Sequence, residues 1–270
     1  MNDSIMACLA KEYDLTTQPR ELVVYRCAAI DLLNESKMKH LLALYTPLVK
    51  GKEQAVGEAY MTGWFRGPTM GLLYALSAWN KSINLSLHNI TIEIYKNSYN
   101  DIEYYSCGFL LSNVELEDGP QLPLDNSDWV TEKLGHYFQH TVRPIFESIA
   151  KVGSLKIGML WSQLPTSFEY SYELLLKSDK SDEVKLQTIR NYKLMKSLDG
   201  QRFGRKNNPL DVKFRLTESM DCPDKQIRMK YTCCQYYLVE DGYYCFTCPK
   251  IRESEREERR MAFRSENQKQ

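Results

Sequence analysis

The chain has 270 residues, with 35 Lys plus Arg against 35 Asp plus Glu, and is 43% apolar and 26% charged. That length allows one large domain or two small ones, with a core that needs no covalent staples. The zero net charge argues against a dedicated nucleic-acid binder, and the composition excludes a disordered chain.

No apolar run approaches the roughly 18 residues needed to cross a bilayer. Residues 1–20 are interrupted by Asp3, Lys11, Glu12 and Asp14, so no signal-peptide core is read there. The expected location is the cytoplasm. In that compartment the eight cysteines are reduced, and a cluster of them reads as metal-binding or catalytic before it reads as disulfides.

In chain order, residues 22–33 and 38–48 carry apolar side chains at three- and four-residue spacings and read as helix, interrupted at Asn34 and Pro47. The glycines at 51, 57, 63, 67 and 71 punctuate the next stretch, which reads as broken helix and loop around Trp64, Phe65 and Trp79. Ile83, Leu85 and Leu87, then Ile90, Ile92 and Ile94, alternate with polar residues and predict two strands meeting near His88-Asn89. Residues 104–116 can add another. Asn126-Ser127-Asp128 can cap a helix whose stripe is Val130, Leu134, Tyr137, Phe138, Val142, Ile145 and Ile149, kinked or broken near Pro144. Further helices are expected at about 166–176 and 181–198. Charge is segregated along the chain: residues 92–129 hold eight acidic side chains and one lysine, whereas residues 190–215 hold eight basic and two acidic ones.

Five of the eight cysteines lie between Cys222 and Cys248. Four follow an unusual pattern: the adjacent Cys233-Cys234, ten residues, then Cys245-Phe246-Thr247-Cys248. Thiolates are soft ligands suited to iron–sulfur clusters, zinc and Cu(I). On a regular strand Cys233 and Cys234 would point to opposite faces, so their convergence requires a bulge or turn. Asp241-Gly242 can supply the reversal that returns the second pair to the first. Structural zinc sites more often use two CxxC-like knuckles, and a binuclear cluster tolerates a strained vicinal pair more easily. Tyr231, Tyr236, Tyr237, Tyr243, Tyr244 and Phe246 surround the ligands and would limit water access.

The run Arg228-Met-Lys-Tyr-Thr-Cys-Cys-Gln-Tyr-Tyr, followed by Gly242-Tyr-Tyr-Cys-Phe-Thr-Cys-Pro249, resembles the C-terminal signature of FhuF-like ferric-siderophore reductases. In that family a CC-x10-CxxC arrangement ligates one [2Fe–2S] cluster. Asn207-Asn-Pro-Leu210 and Trp161 add a weaker likeness, and before about residue 150 only length and element order agree. The resemblance implies a cytoplasmic enzyme that passes one electron from a cluster on Cys233, Cys234, Cys245 and Cys248 to Fe(III) in an imported siderophore of hydroxamate or citrate–hydroxamate type. The expected fold class is α+β. Residues 1–205 form a mainly helical siderophore-binding part with an antiparallel sheet, 206–250 a small cysteine-rich iron–sulfur lobe, and 251–270 a charged tail, helical or frayed.

No Walker loop, GxGxxG or GxSxG occurs, so electrons are expected from an external donor such as a ferredoxin or flavodoxin. The basic stretch reads first as a solvated helix face. Its functional alternative is attraction of an anionic chelate, an acidic donor protein or the lipid of the inner membrane face, with Arg202, Arg205 and Lys206 as substrate contacts and Trp161 as a stacking wall. The rival reading is a siderophore- or metal-binding module in which zinc folds the C-terminal lobe. A redox-sensing dithiol and an iron–sulfur regulator rank below it. Cys222 reads as a loop thiol, Cys8, Cys27 and Cys107 as small core residues, and His136 with His140 as a surface pair that has no third ligand.

Overall fold

The computed structural model describes residues 2–121 and 126–267. Its organising element is α4 (Arg66–Ala78), buried from Pro68 to Ser77 on every side. A helix apolar all round is one enclosed by neighbours, and here these are α1 (Asn2–Tyr13), α3 (Gln54–Trp64), α8 (Leu164–Lys177) and α9 (Asp182–Ser197). A four-stranded sheet flanks it in the order β1 (Leu15–Thr16), β5 (Ile102–Leu111), β4 (Ile90–Tyr99), β2 (Val23–Ala28). The sheet is antiparallel apart from the short β1–β5 pair. Asn100 and Asp101, both left-handed (φ 49° and 62°), close the β4–β5 hairpin, as a two-residue turn requires. The fold is therefore α+β, with two further two-stranded pairs, β3 (Lys81–Ile83) with β6 (Leu116–Asp118) and β7 (Leu216–Glu218) with β8 (Gln226–Arg228).

Ile90, Ile92 and Ile94 face the helices. Glu93, on the opposite face, is fully buried and accepts from the Arg20 backbone N–H (2.9 Å) and from Arg26 Nε (2.7 Å). Burying a carboxylate is tolerated only with such partners.

Four segments differ from their sequence reading, one of them being residues 83–87, where the strand ends at Ile83 and pairs with β6 and not with β4. Residues 22–33 are not helix: Val23–Ala28 is a strand with alternating exposure, and only Ala29–Leu33 turns, as 3-10 helix. The β-branched and aromatic Val23-Val24-Tyr25 favours a pleat, and pairing with β4 decides it. The glycine-rich stretch holds two regular helices, α3 and α4, interrupted only at Phe65. Gly57 is there for close approach, since a Cβ on it would lie 2.3 Å from Thr46 Oγ1 on α2 (Glu35–Leu48). Asn126 caps through its backbone oxygen, to the Val130 N–H, while its side chain donates to Asn80 instead.

The expected stripe from Val130 to Ile149 is buried throughout. It runs along α5 (Ser127–Tyr137), a π turn (Phe138–Val142) and α6 (Arg143–Val152). The wide turn lies just before Pro144, whose ring and missing N–H disturb a regular ladder there.

Glu58 on α3, fully buried, joins this frame to the short α7 (Ile157–Trp161). Its carboxylate accepts from the backbone N–H groups of Ser154 (2.8 Å) and Leu155 (2.7 Å), from Ser154 Oγ (3.1 Å) and from Gln54 Nε2 (3.0 Å). The loop so fixed leads through α7 to Gln163 and α8, the surface on which the C-terminal cysteine segment rests. Among the described residues no helix is long and apolar enough to cross a membrane.

Candidate metal centre

After β8 the chain bends at Tyr231-Thr232, reaches Cys233-Cys234 and then turns sharply. Gln235 adopts a left-handed conformation (φ 63°) and opens a 3-10 turn over Tyr236–Leu238. That turn answers the steric problem of the vicinal pair. It also seats the segment, because the Lys52 N–H donates to Leu238 O (2.8 Å) and the Glu240 N–H to Lys50 O (2.8 Å) in the loop between α2 and α3. Two side-chain amides, Gln163 Nε2 (3.0 Å) and Gln235 Nε2 (3.2 Å), hold the Cys233 carbonyl. Asp241 is left-handed (φ 56°), and the Gly242 N–H donates to Val239 O (2.9 Å). A Cβ on Gly242 would fall 1.9 Å from Tyr236 O, so only glycine fits where the chain reverses toward Cys245.

The return brings the thiols together in twos. Cys233 meets Cys248, and both are buried, at 4% and 1% exposure. Cys234 meets Cys245, and both are partly exposed. Among the described residues no group of three or more His, Cys, Asp or Glu side chains lies close enough to hold a single ion. The segments are tied by the Lys230 N–H donating to Thr247 O (3.0 Å) and the Cys248 N–H to Cys245 O (2.9 Å).

The two pairs differ electrostatically. Burial, reinforced by Cys248, pushes the Cys233 thiol up to about 11. Cys234 is drawn down to about 5, first by a hydrogen bond from the Cys245 thiol, then by the Tyr236 N–H and by Lys230, whose Nζ lies 3.2 Å from its sulfur. Cys245 is raised for the same reason, since it keeps the shared proton. Burial works against the Lys230 charge, but Cys234 and Cys245 outweigh it and raise its pKa. Around the thiols Tyr237 stacks on Tyr244 (centroids 4.4 Å apart), and Lys250 lies over the Tyr237 ring. Tyr60 of α3 faces them from the main body, its phenol pushed up to about 12 by burial and by Cys234.

Of the two alternatives expected for the charged C-terminal run, its described residues take the helical one and form a strap. In α10 (Glu253–Asn267), Arg256 is buried and donates to Cys248 O (2.6 Å) and Phe246 O (3.2 Å). Arg259 donates to Tyr244 O (2.6 Å), and Arg264 to Met220 O and Ser219 O. Arg256 and Arg259 tie the helix to the loop that carries Cys245 and Cys248, and Arg264 ties it to the turn between β7 and β8.

Other expected site residues lie elsewhere. Trp161 is a core residue at 0% exposure, its ring enclosed by Phe138, Phe146 and Phe203, so it offers no stacking wall to a ligand. Arg202 is half-buried and bonded to Glu132 (2.7 Å) and Gln139 (2.9 Å). Arg205 and Lys206 are exposed. Cys222 sits between β7 and β8, apart from the four thiols. His136 and His140 face each other at 4.5 Å on the surface. Sequence reasoning missed Lys230, Gln163, Tyr60 and the arginines of α10. Only the last left a signal, the spacing of Arg256, Arg260 and Arg264 on one helix face.

No protein-family model and no curated protein matches this chain.

The geometry makes one electrostatic prediction. Lys230→Met keeps the side-chain length and removes the charge beside Cys234. Any redox centre held by these thiols is expected to become harder to reduce, because the ammonium favours the more negative, reduced state. Potentiometric titration of both proteins checks this; an unchanged or more positive midpoint would contradict it.

Proposed function

We propose that this protein is a one-electron reductase of ferric siderophores, of the FhuF-like kind, working in the cytoplasm with a [2Fe–2S] cluster held by Cys233, Cys234, Cys245 and Cys248. The observation that carries the reading is the return of Cys245-Phe246-Thr247-Cys248 onto Cys233-Cys234, with Cys233 and Cys248 in one buried cluster, Cys245 packed against it, and the Lys230 N–H tied to Thr247 O. A binuclear cluster takes two thiolates on each of two irons, whereas a structural zinc needs four ligands around one point. The donor set fits the cluster in its softness and in the hydrogen bonds offered to sulfur by Lys230 and by the Lys250 N–H.

When bound, the cluster supplies a one-electron carrier that converts Fe(III) of a chelate to Fe(II), which hard oxygen donors hold weakly and release. The residues do the rest. Cys233 and Cys248 anchor one side in the protein, and Cys234 and Cys245 face the more open side beside Lys230. The tyrosines limit water, and Arg256 and Arg259 hold the ligand loop in register. No general acid or nucleophile is required. The electron comes from a separate donor of the ferredoxin or flavodoxin class.

The test is a metal count with dithionite-reduced EPR on anaerobically purified protein, repeated on Cys234→Ser. The parent should carry two irons per chain, a red-brown colour and the paramagnetic signal of a one-electron-reduced binuclear cluster. The variant should lose iron and ferric-siderophore reduction together. A colourless parent with one zinc that resists iron reconstitution, or a Cys234→Ser protein that loses its iron but keeps full activity, would overturn the reading.

A further inference from the structure

A cleft of the main body lies along α8, on which the cysteine segment rests, and has no part in the site described so far. It encloses about 680 Å³ between the end of α1, the α3–α4 junction, β5 and the C-terminal half of α8, within the roughly 300–1,000 Å³ of clefts that hold small ligands. Helix α8 carries it toward the cysteine segment, and α3 contributes Gly63 and Trp64 to its lining. On α8, Thr166 accepts from the Tyr231 N–H (3.0 Å) and Glu173 pairs with Arg228, while Tyr170 and Leu174, between and beside them, form the cleft's lip.

Three features have no structural explanation. Gly63 is a helical glycine with nothing within 4 Å of where its Cβ would stand, although glycine in a helix costs about 1 kcal/mol relative to alanine; its effect is to leave the cleft floor clear. Tyr170 and Leu174 expose 56% and 51% of their surface side by side at the opening. Arg66, exposed on the wall, has no hydrogen-bond or ion-pair partner among the described residues, whereas Lys180 is bound to Glu12 and Asp14 to Arg20. Trp64 is fixed by a hydrogen bond from its Nε1 to Tyr45 Oη (3.1 Å) and presents a rigid aromatic wall. Asp179 stands at the same cleft, exposed.

We propose that this cleft is the chelate-binding site and that it takes a ferric siderophore carrying a free carboxylate, of the citrate–hydroxamate class. The inference rests on the reductase reading. The apolar arms of the chelate lie against Trp64, Tyr170 and Leu174, the space above Gly63 receives its bulk, and the carboxylate is taken by the Arg66 guanidinium, whose planar fork suits bidentate recognition.

A redox-inert chelate separates binding from electron transfer. Binding of a gallium(III) citrate–hydroxamate chelate is measured by calorimetry to the iron-loaded parent, Gly63→Ala, Gly63→Phe and Arg66→Gln, with a gallium trihydroxamate lacking a carboxylate as comparison. Gly63→Ala should fold and retain most of the affinity, showing that the backbone accepts a side chain. Gly63→Phe should bind both chelates at least about tenfold more weakly, and Arg66→Gln should weaken the carboxylate-bearing chelate about tenfold to a hundredfold while leaving the trihydroxamate nearly unaffected. Parent-like binding in both Gly63→Phe and Arg66→Gln, in protein that still reduces the ferric chelate, overturns the cleft and leaves the reductase reading standing. Binding that follows the pattern above, in a parent that reduces no ferric chelate, supports the cleft and removes the reductase reading.

Discussion

Arg256→Ala is expected to abolish iron loading at the proposed cluster site while the main body stays folded. The guanidinium is buried and spans three groups: it donates to the carbonyls of Cys248 and Phe246 and is paired with Glu253 at 2.9 Å. Truncation leaves two carbonyls of the ligand loop without their charged donor. Hydrogen bonds to charged groups contribute about 1.5–3 kcal/mol each, so the local loss from the two is about 3–6 kcal/mol. The apolar cluster around the ligand loop is small, built on Cys233, Cys248 and Ile251 with Tyr237, Tyr244 and Cys245 packed around them. Iron per chain should fall sharply, and far-UV circular dichroism should change little. Arg256→Lys, which keeps the charge but not the fork, should fall between. Full iron loading in Arg256→Ala would show that α10 does not hold the loop.

Glu58→Ala should have the largest effect on the main body. Its fully buried carboxylate receives four hydrogen bonds, two of them from backbone N–H groups of the loop between α6 and α7. Alanine leaves those donors in a cavity, at a cost of about 3–5 kcal/mol, and a fall in Tm on the order of 10 °C. Glu58→Gln keeps one acceptor oxygen and should recover part of the loss. A Glu58→Ala protein melting within about 2 °C of the parent would show that the loop finds other partners.

The long amphipathic stripe was legible because periodicity reports burial directly: every position expected inward between Val130 and Ile149 is buried. Val23–Ala28 was not, because its identity as a strand depends on a partner, β4, that lies far along the chain. The glycines of α3 and α4 misled for a related reason. Gly57 answers to Thr46 on a neighbouring helix, and local sequence cannot distinguish that demand from a turn. In the cysteine lobe the four thiols and the Asp241-Gly242 reversal were readable from spacing. Trp161 was misplaced because a tryptophan is equally at home in a wall and in a core. Lys230 and Gln163 act across the fold, at atoms that no spacing rule connects.

The two apolar clusters are of very unequal size: one gathers residues from Ile5 to Leu210, and the other is confined to a few side chains around the thiols. Cooperativity follows core size, and subglobal opening begins where buried area is least. The cysteine segment is therefore expected to open before the main core does, and a metal bound by its thiols would add its binding free energy to the stability of that segment. If the proposed cluster is bound, its bleaching should precede melting of the helices on heating, and one unfolding free energy would not describe both events.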